Sequence, residues 1–175
     1  MVYLDSVREW RRDKELQKAE NVRTRLHRKN SKWFFYGGSN KHWSHKGKYI
    51  FSDAPCVVVV YHKGNAVGWI GFSIHRNKVL KVIQLQGARR AKLHGVSFDE
   101  VFFPKIEELA RDLSLQEIWV LPARRNRYWE FPTHTKGREV LLEVHQERLR
   151  VRYDEGAKKH NYNLSDFSFW WVKKI

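Results

Sequence analysis

Between Ser6 and about Asn30 the apolar residues are sparse. Val7, Trp10, Leu16, Ala19, Val22 and Leu26 recur there at roughly helical spacing among many charges, which predicts one or two amphipathic helices. From Asn30 to Phe51 that period dissolves into SKWFFYGGSNKHWSHKGKYIF, where Gly37 and Gly38 punctuate an aromatic cluster, so a loop with at most a short strand is expected. Residues 56–61, CVVVVY, are continuously apolar rather than alternating, the mark of a central strand covered on both faces. HKGN at 62–65 has turn chemistry and Ala66–Ser73 resumes the strand, giving a hairpin, and Val79–Leu85 adds a third strand to the meander.

At Ser97 the period changes. Ser97 and Glu100 form a capping box, Val96 and Val101 are placed as a hydrophobic staple, and Val101, Ile106, Leu109, Ala110 and Leu113 follow at helical spacing. Pro104 is expected to bend this helix or cost it a hydrogen bond. Glu117–Leu121 reads as a buried strand after a crossover, and 122–137 as a polar and aromatic connection. Arg138 to about His160 is a long helix through Leu142, His145, Leu149, Tyr153 and Ala157, and Phe167–Val172 is a terminal strand. This order predicts one α/β domain whose central sheet is mixed, mostly antiparallel and flanked by helices, with residues 1–50 completing or capping it.

Composition narrows the class. The 175 residues are 42% hydrophobic, with eight Trp, seven Tyr and ten Phe, enough for the core of one domain and too apolar for global disorder. The single Cys56 excludes an internal disulfide framework and a cysteine zinc cluster. The first twenty residues carry charge throughout, and the longest apolar run, Cys56–Tyr61, is far short of the roughly 20 residues of a membrane helix, so a cytoplasmic protein with no membrane contact is expected.

The formal net charge is +15, unevenly placed: residues 1–96 carry 20 Lys and Arg against 6 Asp and Glu, and residues 97–175 carry 14 against 13. Such a field favours phosphate-rich partners, either a nucleic acid or a phosphorylated cofactor. Trp33, Tyr36 and Trp43 among the bases of residues 1–48 suit stacking against nucleobases, or equally the anchoring of a long connection in the core. His42 and His45 would share a face only on a helix, and no third metal ligand accompanies them, so no metal is expected.

From residue 56 onward the order of elements resembles the GCN5-related N-acetyltransferase (GNAT) superfamily. That family has a turn of Gln or Arg, two residues, Gly, one residue, then Gly or Ala. Here the stretch reads Gln84, Leu85, Gln86, Gly87, Ala88, Arg89, with Arg at the last small position. The resemblance implies acetyl-coenzyme A as cofactor, its pyrophosphate held by the backbone of Gly87, Ala88 and Arg89 with Arg90 alongside, or by a turn at Gly95–Ser97. Gly87 would otherwise serve only a tight turn with positive φ. The resemblance further implies that the strand through Val82, Gln84 and Gln86 lies along the pantetheine arm, with an amide near Val82–Gln84 facing the thioester and with Asn126 and Tyr128 close by. Ala157 occupies the place where many members carry a catalytic Tyr, five residues before the aromatic Tyr162, which leaves Tyr153, one turn upstream, as the candidate acid.

His42 is a candidate to accept a proton from an amine and Asp53 one to orient a cationic amine or a histidine, although the place of Asp53 in SDAP before the first hairpin strand suits a turn or cap better. The other titratable candidates for a base are His45, His62, His75, His94, Glu117 and Glu130. Three functions remain open at this point. The first is an acyl-CoA-dependent N-acetyltransferase-like enzyme with direct amine attack, acting on a nucleic acid or a nucleic-acid-associated acceptor. The second is a non-catalytic nucleic-acid-binding protein, and the third a degenerate GNAT fold used as an interaction module.

Overall fold

The computed structural model describes residues 17–26, 33–38, 42–76, 78–88, 91–130 and 142–175. The described strands are β1 (Phe35–Gly37), β2 (His42–His45), β3 (Lys48–Phe51), β4 (Cys56–His62), β5 (Asn65–His75), β6 (Val79–Gly87), β7 (Glu117–Val120), β8 (Asn163–Leu164) and β9 (Trp171–Lys174). Seven of them form one sheet in the order β1-β4-β5-β6-β7-β9-β8, and β2 and β3 form a separate hairpin. Every pairing is antiparallel except β6 with β7. The helices are α1 (17–26), α2 (Phe98–Asp112), α3 (Leu142–Arg150) and α4 (Gly156–Lys159), with a π-helical turn, Val151–Glu155, joining the last two.

β4 is covered on both faces, as its unbroken apolar run requires. Cys56, Val58 and Val60 point into the main core with α1 and α2, while Val57 and Val59 point the other way, into a second cluster with Ile50 and Trp69. Tyr36 and residues 42–51 supply the cover on that second side. β1 extends the sheet edge, and the β2–β3 hairpin lays Ile50 and Trp43 over the valines. The expected loop is thus largely strand, because aromatic and β-branched side chains that looked irregular in sequence alternate across a hairpin whose turn is Lys46–Gly47, both at positive φ.

The hairpin is fastened by His45, buried with Nδ1 2.8 Å from the Tyr36 hydroxyl and Nε2 2.6 Å from that of Tyr61. A neutral imidazole has one donor and one acceptor, so the two phenols take opposite roles. Burial, then the ammonium of Lys46, hold the His45 imidazole below its usual value. The fold therefore favours the neutral ring. Its contribution is whole above the unfolded value of about 6.5 and is lost as pH falls through the lower folded value. Urea midpoints at pH 7.5 and 5.5 should fall further in the wild type than in His45→Gln; an equal fall would rule this linkage out.

α1 packs Ala19, Val22 and Leu26 into the main core, and its Arg25 guanidinium donates to the Leu113 carbonyl at the end of α2. The rest of the helical region expected from Ser6 to Asn30 lies outside the described residues. α2 starts as its capping box demands, with the Ser97 N–H donating to Glu100 at 2.9 Å, and it runs on through the exposed Pro104. The terminal strand begins at Trp171 rather than Phe167. Phe167 is 99% exposed, in a turn closed by Phe169 N–H to the Ser165 carbonyl, and a two-residue strand, β8, precedes it. A run of aromatics has no period of its own, and only Trp171, buried against the helices, has a place in the core. Among the described residues no helix is long and apolar enough to cross a membrane.

Candidate site at the free edge of β6

β6 outruns its parallel partner. The last paired residues are Val82 and Val120. The Val82 carbonyl then takes the Leu121 N–H at 3.0 Å, and Pro122 leads into a 3₁₀ turn, Ala123–Arg125, while β6 continues to Gly87. Backbone groups on that free, buried edge need partners. Two consecutive side chains of the π turn provide them. The Leu85 N–H donates to the Tyr153 hydroxyl at 2.7 Å, and the Arg152 guanidinium donates to the Leu85 carbonyl at 3.3 Å.

The π turn explains how Tyr153 arrives there. Leu149, Tyr153 and Ala157 are all buried and spaced by fours, a step that drifts by about 40° on an α-helix. A wider turn takes up that drift and keeps the three on one line. Asp154, next in sequence, pins the turn from its other side, its carboxylate accepting from the Ala123 N–H at 3.0 Å and the Trp171 indole at 2.8 Å. Arg152 lies over the Phe98 ring at 4.8 Å, and burial lowers its pKa.

Tyr153 is 1% exposed. Burial raises its pKa, against the opposing effects of the Leu85 amide, Arg152 and the Asn126 side chain, so the phenol keeps its proton across the neutral range. Asn126 is itself buried, and its Oδ1 accepts the Tyr128 N–H at 3.0 Å. The Tyr128 carbonyl takes a hydrogen bond from His145 at 2.7 Å, which ties the loop after β7 to α3. A cleft of about 320 Å³ between the start of α2 and the α3 end opens beside Arg152, lined in part by Phe98, Val151 and Arg148.

The remaining sequence candidates divide around β6. Gln84 and Gln86 lie on the hairpin side of the sheet, where the Gln84 amide donates to the Phe51 carbonyl at 3.3 Å and to Gln86 at 2.9 Å, its own buried Oε1 lacking a partner among the described residues. His42 stands on β2 against Tyr49, with its ring 5.0 Å from Phe51, and being three residues from His45 on a strand it faces the opposite way. Asp53 follows β3, its carboxylate pairing with Arg127 at 2.6 Å and accepting from the Tyr128 hydroxyl at 3.5 Å. Asp53 therefore clamps the β7 loop to the hairpin. His62 faces His94 at 5.9 Å and His75 faces Trp119 at 6.2 Å, both apart from Tyr153.

The turn after β6 differs from expectation in detail. The Ala88 N–H donates to the Val67 carbonyl at 2.8 Å and is spent within the fold. Gly87 has no positive φ; the left-handed residues are His94 and Gly95, in a turn several residues later. At Gly95–Ser97 the helix start is already supplied with anions, since Glu100 takes the Ser97 N–H and both Asp99 and Glu100 pair with Lys159, at 3.0 and 3.2 Å. Arg89 and Arg90 lie outside the described residues.

Of the candidates the resemblance implied, Tyr153, Asn126 and Tyr128 lie around this edge while Gln84 and Gln86 face the hairpin, and Arg152 and Asp154 were not among them. These flank Tyr153 in RYDEG, and on an ordinary helix they would have been read as solvated. Trp33, Tyr36 and Trp43 serve packing: the Trp33 indole donates to Asp112 at 2.7 Å, and the other two rings pack on the second cluster. Burial pushes the Cys56 thiol up to about 12, so it offers no thiolate nucleophile near neutral pH. Compared with protein-family models, with curated proteins and with solved structures, the chain finds no match.

Proposed function

We propose that this chain is a GNAT-like acyltransferase that takes acetyl-coenzyme A or a related acyl-CoA and passes the acyl group to an amine by direct attack. The observation that carries this reading is the free edge of β6 at Leu85, with one backbone donor and one acceptor, and the protonated Tyr153 hydroxyl 2.7 Å from the donor. The strand order supports it, with a single parallel pair at β6 and β7 and a crossover helix between them.

The residues fit a pantetheine arm. Its amides pair with an open strand edge as an added strand does, and Leu85 offers both halves of such a pair. The cleft beside Arg152 gives a path with apolar walls at Phe98 and Val151, and its charged lining is of both signs, Arg148 and Arg152 with Glu147 and Asp99. Bound acyl-CoA supplies the reactive thioester. Leu85 would then trade its bonds to Tyr153 and Arg152 for bonds to the arm, an exchange of similar hydrogen bonds with little net cost. Released at the same spot, the Tyr153 phenol holds a proton for the departing sulfur, and Asn126 keeps the phenol aimed.

The test is calorimetric titration with acetyl-CoA and with free CoA, together with the Leu85 amide shift by NMR. Saturable one-to-one binding that perturbs Leu85 is expected. An absence of both up to about 1 mM, the upper end of ordinary KM values, overturns the proposal.

A further inference from the structure

A second surface, built differently, lies at the other end of β6. Lys18, Arg25, His75, Arg76 and Lys81 line one cleft of about 400 Å³ between α1 and the ends of β5 and β6, and among the described residues no acidic side chain lines it. None of its Lys or Arg residues forms an ion pair with a described residue. The His75 imidazole registers the convergence: burial and then Lys81, Arg76 and Lys18 hold it below its usual value.

The cleft continues into a row of aromatic rings. His75 faces Trp119 at 6.2 Å and Trp119 faces Trp170 at 6.4 Å, with the Lys81 ammonium over both indoles at 5.0 and 5.4 Å. Beyond Trp170, the turn before β9 presents Phe169, 58% exposed under the Arg125 guanidinium at 5.5 Å, and Phe167, 99% exposed. The acids of this band are Glu117, tied to the Trp119 indole at 2.9 Å, and Asp166 in the turn itself.

Cations that lack acidic partners among the described residues, leading into aromatics that carry no core load, form the pattern that grips a phosphodiester backbone while stacking its bases. We infer that this band, from Lys18 and Arg76 through Lys81, Trp119 and Trp170 to Phe167, binds single-stranded nucleic acid. A closed duplex hides its base faces and would use only the cations. An acidic peptide would use the cations and leave the exposed rings without purpose. Lys81 has a flexible stem that lets its ammonium move to a phosphate and clear the indole for a base. The inference stands apart from acyl transfer, since none of these residues touches Leu85 or Tyr153.

The experiment is fluorescence anisotropy with a fluorescein-labelled 15-nucleotide oligo(dT) or oligo(rU), and with a 15-base-pair duplex, at about 50 and 200 mM salt. A chain of net charge +15 binds any polyanion weakly, so the control matches the charge change. Lys18→Glu/Arg76→Glu should weaken single-strand binding about tenfold or more and lower the salt slope by about 1.4 for two lost contacts, while Lys63→Glu/Lys92→Glu, on exposed residues elsewhere, costs under about twofold. Phe167→Ala/Phe169→Ala, at the exposed turn, should weaken the single strand about fivefold and leave the duplex within about twofold. Equal losses in the two charge-reversed proteins, duplex binding as tight as single-strand binding, or equal displacement by poly-glutamate would each overturn the inference. Acetyl-CoA titration of the same variants should be unchanged, which separates this outcome from that of the acyltransfer proposal.

Discussion

Tyr153→Phe is expected to cut acyl transfer by about a hundredfold or more while acetyl-CoA binding holds or tightens, since a positioned proton donor contributes roughly 10²–10⁴ in rate. The two effects separate because the proposed mechanism gives the hydroxyl two successive partners. At rest it takes the Leu85 N–H, and removing it leaves that buried donor unpaired at a cost of about 1–3 kcal/mol. In the proposed donor complex the same N–H would be free for the pantetheine arm with no phenol to displace. Lower kcat with equal or lower KM is the signature, read by thiol release and by calorimetry. Turnover within about twofold of the wild type would remove Tyr153 as the acid. Because burial raises the Tyr153 pKa, the protonated form persists past the usual value of about 10, and activity lost through this group should fall only as pH rises above that.

Gly68→Ala is expected to be the most damaging single methyl in the described fold. A Cβ there would collide with the Gln86 carbonyl oxygen on the paired strand and stand 2.6 Å from the Phe102 ring. The first is backbone within the ladder and cannot swing away. The second is fully buried and stacked on Phe98 at 3.9 Å, the ring that lies under Arg152. Overpacking of this kind costs about 3 kcal/mol, a fall in Tm of roughly 6–12 °C for a chain of this size. Gly87, directly across the ladder from Gly68, is the contrast. A Cβ at Gly87 would meet Phe98 at 3.5 Å, ordinary contact, so Gly87→Ala should stay within about 1 kcal/mol of the wild type. Thermal melts of the two variants check both statements, and a Gly68→Ala protein as stable as Gly87→Ala would contradict this account of the β5–β6 packing.

What the sequence decided by itself is local or one-dimensional. The unbroken CVVVV run required cover on two faces, because apolar side chains alternate across a strand whatever lies beside it, and the structure places Val57 and Val59 under the hairpin and Cys56, Val58 and Val60 under the helices. The capping box at Ser97 likewise involves groups three residues apart and needs no distant partner to be read. The meander, the crossover and the antiparallel bias of the sheet followed from segment lengths and turn chemistry.

Only the tertiary structure decided the rest, since it depends on which distant groups are left wanting. Leu85 is an ordinary strand residue until β7 stops pairing at Val120, and only then do its N–H and carbonyl call for Tyr153 and Arg152, 68 and 67 residues away. Asp53 had the chemistry of a base or of a turn, and its approach to Arg127 across 74 residues made it a clamp. Of the aromatics in residues 33–51, Trp33, Phe35, Tyr36 and Trp43 pack against the two core clusters, the anchoring alternative, whereas of the aromatics read as strand, Trp119 and Trp170 are only half-buried and Phe167 and Phe169 are exposed. Burial is a property of the folded surroundings, so the same Trp or Arg takes its role from where the sheet ends and what covers its face.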